Sequence, residues 1–144
     1  MQSIKFIFLA IFIFVAGCAH LNEEQNIEVE KRINQEANYE EVKTVTNTKD
    51  VQKVREIVED IDWEKAVVSM VRPADYTFAF QYVDPEIEAK AVLYELWISP
   101  DKDKVELVID AESKYVQLGS NQSKELFDIL TGEELSDQSI PNLK

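Results

Sequence analysis

The chain predicts an α+β domain: an antiparallel sheet of about five or six strands with two helices packed on one face. Three observations carry this reading. Tyr76, Phe78, Phe80 and Tyr82 alternate with Thr77, Ala79, Gln81 and Val83, the period of two that puts four aromatics on one side of a strand. Val51, Val54, Ile57, Val58 and Ile61 recur at three- and four-residue spacing, the stripe of an amphipathic helix. Between Ala91 and Leu118, apolar runs are separated by short polar turns, as in a meander.

Taken in order, Val42 to Thr46 alternates and predicts a first strand. Asn47 or Thr48 can cap the helix that follows, from about Lys49 to Asp60, with Lys53, Glu56 and Glu59 on its wet side. Asp62-Trp63-Glu64 connects to a strand from Ala66 to Val71, which Arg72-Pro73 stops. The aromatic strand then runs from Tyr76 to Asp84-Pro85. Further strands are expected over Ala91 to Ser99, Val105 to Ile109 and Tyr115 to Leu118. A last helix starts after Gly119, with Ser120 or Ser123 as its cap, and carries Leu126, Phe127, Ile129 and Leu130 as far as Gly132. No internal repeat is visible.

Ahead of this domain the chain has a different character. Met1 to Lys5 is a short basic segment, and Phe6 to Ala16 is eleven residues without a polar side chain. A spanning helix needs about 20 apolar residues, whereas this run has the length of a secretory signal. Val15-Ala16-Gly17-Cys18 resembles the lipobox of bacterial lipoproteins: an aliphatic residue, two small ones, then the Cys that takes the lipid. The expected organisation is a signal peptide over residues 1–17, an acidic tether over 18–41, the α+β domain over 42–132 and a polar, frayed tail over 133–144. The resemblance implies a diacylglyceryl group on the Cys18 thiol and cleavage just before it. Each buried CH₂ contributes about 0.8 kcal/mol, so two acyl chains anchor a domain that spans nothing. The expected location is the extracytoplasmic face of the cell membrane. A flexible tether of this length spans roughly 25–30 Å.

Composition narrows the chemistry. Lys5 is the one charged side chain in residues 1–17, so the remainder carries 28 acidic against 14 basic groups, a formal charge of −14. Nucleic acid is excluded as a partner, because binding it depends on neutralising phosphates with Lys and Arg. Cys18 is the one Cys and His20 the one His, and both precede the folded region. That region therefore has no disulfide, no Ser-His-Asp triad and none of the usual zinc ligand sets. With only Gly119 and Gly132 left after Gly17, no glycine-rich phosphate loop is present. No catalytic residue, cofactor or metal is expected.

Three segments, Ile61-Asp62-Trp63-Glu64, Met70-Val71-Arg72-Pro73-Ala74-Asp75-Tyr76 and Lys90-Ala91-Val92-Leu93-Tyr94-Glu95-Leu96-Trp97-Ile98-Ser99-Pro100, resemble the YhfM-like family of small Gram-positive lipoproteins. The similarity runs from about Val51 to Gly132. It implies an exported, lipid-anchored domain and carries over no catalytic residue.

The candidate binding surface consists of Trp97, Leu93, Tyr76 and Tyr82. The aromatic stripe has two readings, a stacking platform for sugars or peptides, or the core face of a sheet beneath a helix. Large aromatics favour the core, which leaves Tyr76 and Tyr82, at the stripe's ends, to reach solvent. Trp97 shares a side with Leu93 and Glu95, opposite Tyr94 and Leu96. That side is either an exposed interaction patch or is covered by the tether or the tail. Glu86 with Glu88, Asp101 with Asp103, and Asp110 with Glu112 read as solvated turns, since a glycosidase needs two carboxylates facing each other across a cleft. Arg72 and Asp75 form a structural ion pair at a turn or belong to a recognition loop. The expected function is binding of an envelope component or protein partner without catalysis. The alternatives are a small carboxylate-based hydrolase and a weak cation-binding accessory.

Overall fold

The computed structural model describes residues 23–140. The segment expected to be a signal peptide, the lipobox-like Val15-Ala16-Gly17-Cys18 and His20 lie outside the described residues, as do residues 141–144. The domain is α+β, with seven strands in one antiparallel sheet and two helices. In chain order the strands are β1 (Gln25–Arg32), β2 (Tyr39–Val45), β3 (Glu64–Lys65), β4 (Tyr76–Tyr82), β5 (Tyr94–Ile98), β6 (Val105–Ile109) and β7 (Lys114–Gln117), and they lie side by side as β2-β1-β4-β5-β6-β7-β3. Helix α1 (Thr48–Asp60) follows β2 and α2 (Ser120–Thr131) follows β7.

The sheet is larger than expected because the acidic segment is not all tether. Gln25–Arg32 forms β1, an interior strand paired with both β2 and β4. Ile27 and Val29 are completely buried, while Glu28 is exposed on the opposite side. Two inward residues cannot make a helical stripe, but at a period of two they suffice for a strand whose neighbours supply the rest of the core. A bulge between Val29 and Glu30 shifts the register against β2.

Helix α1 forms as its spacing predicts. Asn47 Oδ1 accepts from the backbone N–H groups of Lys49 (3.0 Å) and Asp50 (3.2 Å), satisfying two donors the first turn leaves open. Val51, Val54, Ile57 and Val58 are buried. At its other end, Trp63 Nε1 donates to the Val58 carbonyl at 2.9 Å. Helix α2 ends at Gly132, whose φ of 74° is left-handed and whose N–H reaches the Asp128 carbonyl. Neither Ser120 nor Ser123 caps α2; the N-cap is Gly119. Ser123 is instead fully buried, its Oγ accepting from Val105 N–H at 2.9 Å and tying α2 to β6.

Both helices cover the same face. Phe78, Leu96, Leu107 and Ile27 from the sheet pack with Val54, Leu126, Phe127 and Leu130 in one core. The expected strand over Ala66 to Val71 is absent. Only Glu64–Lys65 pairs, with β7, and after it the chain leaves the sheet edge and crosses the face opposite the helices. The alternation at Val67, Val68, Ser69, Met70 and Val71 is real. It lays Val68 and Met70 down on the sheet, however, and leaves Val67 and Val71 88% and 92% exposed.

The expected frayed tail is also ordered as far as the described residues go. Leu135–Asp137 makes a 3-10 turn with Leu135 buried, and Gln138 Oε1 accepts from the Tyr76 hydroxyl at 3.1 Å. Two apolar residues in a polar stretch, Leu135 and Ile140, are enough to seat it against the core.

A candidate binding cleft on the helix-free face

The strap from Ala66 to Ala74 is fastened at both ends. Ala66 N–H donates to the Ser113 carbonyl at 2.9 Å, next to the turn between β6 and β7. At the other end, Asp75 is buried between two guanidinium groups, Arg32 at 3.2 Å and Arg72. Its second oxygen accepts from Ile98 N–H at 2.8 Å. Arg32 also donates to the Ala74 carbonyl (3.1 Å) and the Asn34 carbonyl (2.9 Å), and Arg72 to the Ile98 carbonyl (3.1 Å). A buried carboxylate with this many donors is a structural joint, because each buried charge is paired and hydrogen-bonded. Arg72 and Asp75 are thus the structural pair of the two readings offered by the sequence.

Trp97 is not the exposed anchor expected from its alternation. It lies beneath the strap, 5% exposed, with Ala74 and Val108, and its Nε1 donates to the Arg72 carbonyl at 2.9 Å. The cover is chiefly the segment expected to be a strand, joined by Tyr39 from the segment expected to be tether. Tyr76 is buried as well, edge-on to Phe127 and bonded to Gln138, so it too is no surface residue. Tyr82 is half-buried at the far end of β4, opposite Gln25, away from the strap. Leu93 is 52% exposed.

Leu93 borders a cleft of about 820 Å³. Its walls are the strap (Val68, Met70, Arg72), the segment Lys90 to Leu93 that leads into β5, and the turn Asp110 to Glu112. Residues 91–93 were expected to extend β5. They leave the sheet instead, since β4–β5 pairing stops at Phe78 opposite Tyr94. That departure opens the cleft. Its floor follows from the register: Thr77 lies opposite Glu95, Glu95 opposite Val108, and Val108 opposite Tyr115.

Glu95 is the polar group of that floor. Burial, reinforced by the negative charge of Asp110, raises its pKa above the usual carboxylate range. Tyr39 stands at the cleft's edge with its hydroxyl donating to the Ala74 carbonyl at 3.0 Å, and burial, then Glu95, raises its pKa. Tyr115, whose hydroxyl donates to Glu106 at 2.7 Å, is pushed up to about 12, by burial first and then by that carboxylate. Among the described residues, no three His, Cys, Asp or Glu side chains gather where they could hold a metal ion, and no helix is long and apolar enough to cross a membrane. Sequence reasoning missed Glu95, Tyr39, Val68 and Met70 as members of one site. The signal available was the Val68-Ser69-Met70 alternation, which reads equally as the strand expected over Ala66 to Val71.

Comparison with curated proteins and with solved structures finds no match. Residues 24–136 match the family described as YhfM protein, a span that starts just before β1 and so takes in the strand the acidic segment had concealed. The chain belongs to the YhfM protein family.

Proposed function

We propose that this chain is a lipid-anchored binding protein of the outer membrane face, held through Cys18, whose cleft on the helix-free side receives an envelope component or partner protein without chemical turnover. The observation that carries the binding reading is the cleft itself. It is walled by half-exposed apolar residues and bounded by a strap that Arg32, Arg72 and Asp75 hold in place. Pre-formed apolar concavities with few polar groups are the usual form of a binding site. Only six residues separate Cys18 from Gln25, a reach over seven steps of at most about 25 Å. The anchor therefore keeps the cleft close to the outer leaflet.

A second reading, carboxylate-based hydrolysis, has one observation in its favour: Glu95, with its raised pKa, stands near Asp110 in the cleft. Glu95 on β5 lies opposite Val108 on β6, two residues before Asp110 in the turn that follows, so the two acids come from adjoining chain rather than from opposite walls, and the guanidinium in the cleft, Arg72, is committed to Asp75 and Ile98. Weak cation binding is the third reading, and no specific observation favours it.

Two experiments test the proposal. For the anchor, Cys18→Ala should yield an uncleaved precursor without acyl groups by intact mass spectrometry; a mature N-terminus elsewhere with no acyl mass refutes it. For the cleft, full-length protein in phosphatidylcholine nanodiscs should show slowed hydrogen exchange at residues 66–73 and 90–93 when envelope fractions are added. Protection confined to other segments, or hydrolysis of a fraction that is lost in Glu95→Gln, overturns the binding reading.

A further inference from the structure

The cleft is lined by three acids, Glu95, Asp110 and Glu112, against two basic residues, Arg72 and Lys90, and further acids flank it on the same sheet. Across the strands, Glu30 lies opposite Thr77 and Thr77 opposite Glu95; one row over, Trp97 lies opposite Glu106. Glu30 bonds Thr77 (3.1 Å), Glu106 bonds Tyr115 and Glu112 pairs with Lys114 (2.6 Å), but among the described residues the half-buried Glu95 carboxylate and the exposed Asp110 carboxylate make no hydrogen bond or ion pair. Glu95 is half-buried, and burial disfavours its charge unless a cation arrives to match it. Of the two basic residues at the cleft, Arg72 is consumed by Asp75, which leaves Lys90 on the rim.

From this placement we propose that the cleft is a receptor site for a cationic, amphipathic peptide segment, with its apolar side chains against Val68, Met70 and Leu93 and a Lys or Arg reaching Glu95 and Asp110. The proposal rests on the binding reading above and supplies its ligand class. Charge complementarity selects the occupant. An anionic lipid headgroup would sit against the same carboxylates and against a chain of net charge −13. A second copy of this chain would bring like acids face to face, since a two-fold interface presents the same patch from both sides. A peptide carrying positive charge meets the apolar walls and relieves the isolated carboxylates together, and its approach is favoured by the field of the whole domain.

The test uses full-length protein in phosphatidylcholine nanodiscs and a labelled synthetic peptide in which Lys alternates with Val and Leu over about eight residues. Saturable binding is expected, weakening as salt is raised. Replacing each Lys of the peptide by Glu, or each Val and Leu by Ser, should weaken it about tenfold or more. Glu95→Gln should weaken the Lys peptide about tenfold while leaving the Glu peptide's binding no weaker than before, and a melting curve at or above that of the native protein shows that the variant folds. Equal affinity for the Lys and Glu peptides, with both weakened by Leu93→Ser, overturns the cationic ligand and keeps the cleft as a binding site. Binding insensitive to Leu93→Ser and Glu95→Gln overturns both. Saturable binding of phosphatidylglycerol vesicles in place of peptide, self-association blocked by Leu93→Ser, or no saturation by the Lys peptide also overturns the proposal.

Discussion

On one face of the sheet, α1 and α2 lay Val54, Leu126 and Phe127 over Ile27, Phe78 and Leu96; on the other, a strap of irregular chain lays Val68 and Met70 over Trp97 and Val108. The first face is buried by elements that satisfy their own backbone and need only an apolar stripe. The second is buried by a segment with few backbone partners, fastened by a buried carboxylate between two arginines. Helical cover is continuous and leaves a close-packed core. Strap cover is partial, and the gap beside it is the cleft. Stability and recognition thus divide between the two sides of one sheet.

The comparison can be broken most forcefully on the helix side. Phe78 is buried and stacks on Tyr94, ring centroids 4.8 Å apart. Phe78→Ala should cost about 3–5 kcal/mol in denaturant unfolding, through lost burial and the cavity left behind. A cost under about 1 kcal/mol would mean that the helix-covered face is not the stabilising core.

Asp75→Ala tests the strap. It leaves Arg32 Nη2 and Ile98 N–H without their acceptor, though Arg32 keeps its bonds to the Ala74 and Asn34 carbonyls, and should cost about 3 kcal/mol, the lower end for a broken buried pair. Arg72 keeps its bond to the Ile98 carbonyl. Hydrogen exchange should accelerate first around Ala66, whose N–H is bonded to Ser113, while Val54 and Leu126 stay protected. Loss of protection on both faces together would show that the strap and the core unfold as one unit.

What the sequence revealed follows the same division. Asn47 as a cap, the stripe of α1, the aromatic alternation of β4 and the Gly132 stop are local signals, and each appears as read. Apart from the N-cap of α2, which is Gly119 rather than Ser120 or Ser123, the failures were decided by partners distant in sequence. Ile27 and Val29 are too few to identify a strand until β4 supplies Phe78 and Phe80 opposite them. Val68 and Met70 alternate like a strand, and only the position of Trp97 decides that they cover the sheet rather than join it. Tyr76 is closed off by Gln138, 62 residues later. Of the candidate surface, Leu93 alone borders the cleft in the open, and Glu95 was unrecognisable because its isolation depends on where the strap ends.

The smallest expected effect concerns Glu95, and its sign distinguishes a site residue from a structural one. A carboxylate whose folded pKa lies above the ordinary value of 4.5 favours the folded state when protonated, below that value, and loses the advantage as pH rises through its folded pKa. At neutral pH the ionised group therefore opposes folding, because burial and Asp110 both disfavour its charge. Glu95→Gln should raise the melting temperature slightly at pH 7, and the difference from the native protein should vanish at about pH 3, where both are uncharged there. Partial exposure and solvent screening keep the gain small. A drop in melting temperature at pH 7 would show that Glu95 is engaged in a stabilising contact, and the isolated carboxylate on the cleft floor would lose its claim to wait for a cation.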